Sequence, residues 1–149
     1  IFLDLEEGYG NARVKDQQDS KTIKVNMISL LELVKKHDIN PHNISLLGFS
    51  QGSILSWALA FSAPKKIRRI VALSGLVHES VDTSQPPTFL AYAAHGISDV
   101  VIPVEKARAT ILPLSEKYTE IEYHEFPEGH SVSQENFTRL LGWLEKTEL

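Results

Sequence analysis

Ile44-Ser45-Leu46-Leu47-Gly48-Phe49-Ser50-Gln51-Gly52 joins an apolar run to the start of a helical pattern, with a serine at the junction. The reading is a strand, a tight turn and a helix. So sharp a turn brings the backbone before the serine close to the helix behind it, so both flanking positions must be small and glycine suits them. The serine hydroxyl then stands clear of the sheet above a helix N-terminus, where a developing negative charge is favoured. Gly-x-Ser-x-Gly also arises by chance, and the strand before and helix after it are the context the motif requires.

A serine becomes nucleophilic when an imidazole takes its proton and a carboxylate orients that imidazole. After this type of turn the acid comes next in the chain and the histidine last. Thr88-Phe89-Leu90-Ala91-Tyr92-Ala93-Ala94 reads as a buried strand running into His95-Gly96-Ile97-Ser98-Asp99. Ile121-Glu122-Tyr123-His124-Glu125-Phe126 reads as another, running into Pro127-Glu128-Gly129-His130-Ser131. In an open parallel sheet the loops after strands share one edge, so Ser50, Asp99 and His130 can converge. Asp82, Glu79 and Glu128 are rival acids, and Asp99 also suits a cap for a helix starting around Pro103. Among the other histidines, His37 and His42 flank a helix end, His78 lies in a polar loop and His124 sits inside a strand. His95 reads as a brace for the acid loop through hydrogen bonding.

With Val71-Ala72-Leu73-Ser74-Gly75, His95-Gly96 followed by Asp99 and Pro103, and Gly129-His130-Ser131 added to the serine turn, the chain resembles the phospholipase/carboxylesterase family of α/β-hydrolases, which includes acyl-protein thioesterases. The resemblance runs from about Ile39 to the C-terminus, and loosely back to Phe2-Leu3-Asp4. It implies Ser50 as nucleophile, Asp99 as orienting acid, His130 as general base and the Gln51 amide as one oxyanion donor. It also implies hydrolysis of carboxylic esters, lysophospholipids or acyl thioesters with no metal or organic cofactor. Ile97 and Val100 replace an aspartate and a proline common in the family's acid loop, and Ser53 replaces a smaller residue. A His-Gly-rich loop that would give the second oxyanion donor does not precede Ser50. The expectation is therefore one α/β-hydrolase domain over residues 1–149, N-terminally incomplete, with a mostly parallel sheet and helices on both faces; a reduced hydrolase domain is the other reading. A hydrolase-fold binding or scaffold protein, a peptidase and a lactonase are the alternatives.

The 149 residues carry 15 basic and 19 acidic side chains, a net charge of −4 that gives no reason to invoke nucleic acid. The cluster Lys65, Lys66, Arg68 and Arg69 reads as a solvated loop and strand entry, with contact to anionic lipid headgroups as the alternative. There is no cysteine, which excludes disulfides and thiolate sites and fits a reducing, cytoplasmic setting. No apolar run reaches membrane-spanning length.

Ile1–Leu5 reads as a strand or extended lead-in, and Ile23, Met27, Leu30, Leu31 and Val34 recur at the spacing of an amphipathic helix over about 19–36. Further helices are expected over about 52–61, closed by Pro64, from about 104 with a break at Pro113, and over about 133–146 with Phe137, Leu140, Leu141 and Leu144 inward and a capping box from Ser131 to Gln134. Ile70–Leu73 reads as a strand, and 76–87 as a turn-rich flap facing the substrate. Because the base must be neutral and an unperturbed histidine titrates near ~6.5, hydrolysis is expected to rise with pH and level off above neutrality. A flat pH–rate profile from acid to neutral, with chemistry limiting, counts against a histidine base.

Overall fold

The computed structural model describes residues 32, 35–40, 43–63 and 65–148. The expected strand at Ile1–Leu5 and most of the helix over 19–36 lie outside the described residues. Among the described residues four strands form one parallel sheet in sequential order: β1 (Ser45–Phe49), β2 (Arg69–Leu73), β3 (Leu90–Gly96) and β4 (Ile121–Phe126). The helices are α1 (Gln51–Ser62), α2 (Val104–Thr110), α3 (Leu112–Lys117) and α4 (Gln134–Lys146).

Strand alternation sorts the apolar side chains into two layers. On one side Leu46, Ile70, Ala72, Ala91 and Ala93 pack with Leu55, Leu59, Ala107 and Leu114 of α1, α2 and α3 and with Ile111 between α2 and α3. On the other, Val71, Leu73, Tyr92, Ala94 and Phe126 meet Leu140 and Trp143 of α4. Strands advancing in one direction through right-handed crossovers place their connecting helices on a single face, and α4, which follows the last described strand, takes the opposite one. Helices on both faces of a parallel sheet make this an α/β architecture.

α1 is buried from Ser53 to Ala60, so it is apolar nearly all round. It lies close over β1 because the row beneath it is small: Gly48 pairs with Ala72, and Ala72 with Ala93. A Cβ at Gly48 would come within 2.2 Å of the carbonyl carbon and oxygen of Gly52. Backbone cannot retreat as a side chain can. Gly48→Ala is therefore expected to cost about 3 kcal/mol or more, at the upper end of overpacking effects, as measured by urea unfolding. An unchanged midpoint would contradict so close an approach.

Four details differ from the sequence reading. β3 is shifted two residues forward: its ladder begins at Leu90 opposite Arg69 and runs through Gly96 opposite Phe126, so His95 and Gly96 belong to the strand. Phe89 instead joins an aromatic cluster with Trp57 and Phe61. In α4, Phe137 and Leu141 are exposed while Asn136, Leu140 and Trp143 turn inward. The cap of α4 is Ser133, which accepts from the Asn136 amide at 3.2 Å, rather than a Ser131–Gln134 box. The helix expected to break at Pro113 is interrupted at Ile111, leaving Pro113 in the first turn of α3, where no intrahelical N–H is needed.

The basic cluster is also divided. Lys65 and Lys66 are exposed, but Arg68 donates to the Thr147 carbonyl, and Arg69 donates to Ser45 Oγ, the Leu144 carbonyl and Thr147 Oγ1. The two guanidinium groups thus tie the start of β2 to the end of α4.

Candidate active site

Parallel strands bring the ends of β1, β3 and β4 to one edge, and the loops there carry Ser50, Asp99 and His130. Ser50 occupies the turn between β1 and α1 at φ 55°, ψ −116°, outside the region L-residues ordinarily occupy. The turn is held from both sides. Its amide donates to the Leu73 carbonyl of β2 at 2.8 Å, and its carbonyl accepts from Ser53 and Ile54 at the start of α1. Ser50 makes no side-chain cap, and the first turn of α1 holds no acidic residue, so the positive end of the helix is left unneutralised. Gln51 is the first residue of α1, a position whose amide has no partner within the helix.

The three side chains form a continuous relay. Ser50 Oγ lies 2.9 Å from His130 Nε2, and His130 Nδ1 lies 2.7 Å from Asp99 Oδ2. The Phe49 ring lies against His130, with ring centroids 4.9 Å apart. Asp99 is buried, and its Oδ1 accepts from the Val101 and Ile102 amides at 2.8 and 2.9 Å. Burial pushes its carboxyl upward, but the hydrogen bonds from His130, Ile102 and Val101 outweigh burial and hold it below the ordinary carboxylate range.

The rival acids are elsewhere. Asp82 is exposed and accepts from the Ser84 amide, and Glu79 is exposed. Glu128 is buried and engaged away from the relay. Its carboxylate accepts from the Ser133 amide and from Asn136 Nδ2, and Asn136 Oδ1 accepts from the Tyr92 hydroxyl at 2.9 Å. This network fixes both ends of the short loop that carries His130. Asn136 and Tyr92 were missed by the sequence reading, since an asparagine three residues into a helix and a tyrosine in an apolar strand both pass for ordinary residues. The signal was the acidic Glu128 just ahead of a helix start, where a carboxylate is favoured.

His95 is fully buried beside Asp99. His124 lies on β4 near Glu122, and burial pushes its imidazole below the usual histidine range. His78 contacts Ser80, His37 is exposed in a turn, and His42 lies outside the described residues. The loop expected to act as a flap is pinned in part, with Val77 buried and its amide donating to Thr110 Oγ1. Ser53 is buried, and Gly75 makes room for it: a Cβ there would lie 2.4 Å from Ser53 Oγ. Among the described residues no group of three or more His, Cys, Asp or Glu side chains is arranged to hold a metal ion. No described helix is long and apolar enough to cross a membrane.

The depressed carboxyls set an acid limb of stability. Asp99, and Glu125 held low chiefly by its hydrogen bond from Arg108, bind protons more weakly folded than unfolded. Their contribution is complete above the unfolded carboxylate values near ~4 and is lost as pH falls through the lower folded values. The thermal midpoint should therefore fall below about pH 4, and Asp99→Asn should flatten that fall. An identical acid slope in the variant would remove Asp99 from the account.

A family model described as phospholipase/carboxylesterase matches residues 9–148. The chain belongs to the phospholipase/carboxylesterase family. It is 28% identical over 141 residues to a probable carboxylesterase SOBER1-like of Arabidopsis thaliana, covering 89% of this chain and 53% of that protein. It is 28% identical over 146 residues to acyl-protein thioesterase 1 of Kluyveromyces lactis, covering 91% and 63%. The chain thus spans about half to two thirds of the length of these curated relatives. Among solved structures, esterase PE8 superposes with a TM-score of 0.78 at 22% identity, over 98% of this chain and 68% of that one, a likeness of fold. The Arabidopsis thaliana SOBER1 structure superposes with a TM-score of 0.70 at 25% identity, over 86% and 65%. The fold is that of the α/β-hydrolase esterases.

Proposed function

We propose that this family member is a serine hydrolase that cleaves carboxylic ester or acyl thioester bonds through Ser50, His130 and Asp99. The reading rests above all on the unbroken relay from Ser50 Oγ to His130 at 2.9 Å and on to Asp99 at 2.7 Å. Asp99 accepts a hydrogen bond from Nδ1–H of His130, which keeps the ring proton on Nδ1 and leaves Nε2 bare and facing the serine hydroxyl. As Ser50 Oγ attacks the substrate carbonyl carbon, Nε2 takes its proton and the carbonyl oxygen becomes an oxyanion. The Gln51 amide, at the unneutralised N-terminus of α1, stabilises that charge. His130 then protonates the departing alcohol or thiol as the tetrahedral intermediate collapses to an acyl-serine. A water deprotonated by the same imidazole attacks the acyl carbon, and the imidazolium returns that proton to Ser50 Oγ as the bond to serine breaks and the carboxylic acid departs, to ionise in solvent.

Catalysis of this kind requires a serine that reacts as its neighbours do not. Incubation with a fluorophosphonate, followed by peptide mapping, should place one adduct on Ser50 and none on the other serines, with p-nitrophenyl ester hydrolysis lost in step with labelling. No adduct on folded protein would instead favour a hydrolase-fold binding or scaffold role. The names of the relatives support ester and acyl thioester substrates over the peptidase and lactonase alternatives.

A further inference from the structure

The carboxylate of Asp99 lies between two imidazoles. His130 approaches Oδ2 on one side, and on the other His95 Nε2 lies 3.3 Å from the same oxygen and 2.7 Å from the Ile102 carbonyl. Both neighbours of Nε2 are acceptors, so that nitrogen carries the proton. His95 Nδ1 is buried with no hydrogen-bond partner, and the ring is entirely shielded from solvent. A buried polar atom left unpaired is a cost that an apolar side chain of similar size would avoid. What the ring supplies in return is one donor, aimed where the acid loop turns back on itself.

We propose that His95 is a positioning residue that holds the Asp99 carboxylate in the plane in which it meets His130. The two amides on Oδ1 fix one oxygen and leave the other to turn about it. The His95 proton lies at the edge of hydrogen-bond reach of Oδ2 and firmly on the Ile102 carbonyl, so it closes the 99–102 turn and limits that rotation. Its placement follows from β3 itself: His95 pairs with Glu125 in the ladder and shares the strand face of Ala91 and Ala93, so its backbone is as fixed as the sheet. The consequence for catalysis rests on the relay proposed above.

Two substitutions in the full chain separate this donor from simple packing. His95→Gln can put a side-chain N–H near the position of Nε2, whereas His95→Met fills comparable space and donates nothing. We expect kcat for a p-nitrophenyl ester to fall about 10- to 100-fold in the Met variant with KM little changed, as for a small misplacement of a reacting group, and to be largely restored in the Gln variant. The low-field NMR signal of the His130 Nδ1–H proton bonded to Asp99 should be sharp in the parent and the Gln variant and broadened or lost in the Met variant. That signal needs no turnover. If the parent hydrolyses no ester, the functional reading fails while the NMR contrast still decides the role of His95. Equal kcat in the two variants with an unaltered low-field proton overturns the proposal. Should the Met variant not fold, His95→Asn, whose amide is too short to reach Ile102 or Asp99, replaces it with the same expected outcome.

Discussion

Ser50→Ala should lower ester hydrolysis by about 10⁶-fold, the size of effect seen when a triad nucleophile is removed, while the fold survives. Among the described residues the Ser50 side chain makes one hydrogen bond, to His130, and its backbone makes the contacts that shape the turn. Alanine keeps those contacts, and like serine it is an L-residue at φ 55°, so the backbone cost of the turn is unchanged. Turnover of p-nitrophenyl acetate and far-UV circular dichroism on one preparation give both halves of the result. Undiminished turnover with native ellipticity would assign the chemistry to another residue.

Asp99→Asn should cost about 10⁴-fold, for a reason visible in the hydrogen-bond directions. The asparagine oxygen would stay on the Val101 and Ile102 amides, which need an acceptor. Its NH₂ would then face His130 Nδ1. A donor there favours the tautomer with the proton on Nε2, and an Nε2–H pointing at Ser50 cannot accept the hydroxyl proton. The same NH₂ would also oppose the His95 N–H. Loss of kcat at nearly constant KM, with serine labelling slowed in parallel, is the expected pattern; a variant within tenfold of the parent would detach Asp99 from the chemistry.

The serine turn was legible because it is local. A strand, a glycine that must be small, a serine and a helix lie within one short stretch, and the packing of Gly48 against Gly52 is a contact four residues apart. Asp99 and His130 were legible at one remove, from the rule that loops after parallel strands share an edge. What sequence did not disclose was decided by partners distant in the chain. Thr88 and Phe89 favour a strand, yet the ladder of β3 starts only where Arg69 and Ile121 offer partners, and Phe89 goes to the aromatic cluster around Trp57. In α4 two stripes overlap: the expected one runs through 137, 140, 141 and 144, of which Leu140 and Leu144 reach the core, and the observed one is centred on 136, 140 and 143, both at helical spacing. The second faces the sheet because Asn136 is drawn inward by Glu128 and Tyr92, a polar attraction that hydrophobic periodicity cannot register. The same network accounts for the missed cap, since the Ser133 amide is satisfied by Glu128 from outside the helix.

The pairing of β3 with β4 continues past both strands: the Ile97 amide bonds to the Phe126 carbonyl and the Ser98 amide to the Glu128 carbonyl, at 2.9 and 3.0 Å. The two segments pass so closely that a Cβ on Gly96 would lie 2.2 Å from the Gly129 carbonyl oxygen. Acid and base are therefore registered by main-chain hydrogen bonds, with glycine required at position 96 for so close an approach. The exposed side chains on the acid loop carry none of that burden. Val100 and Val101 are 88% and 62% exposed, and Ile97 is exposed beside them. In an evolving lineage, residues 97, 100 and 101 can drift through many side chains, altering what the rim of the site touches, while the separation of proton acceptor and proton donor is inherited unchanged.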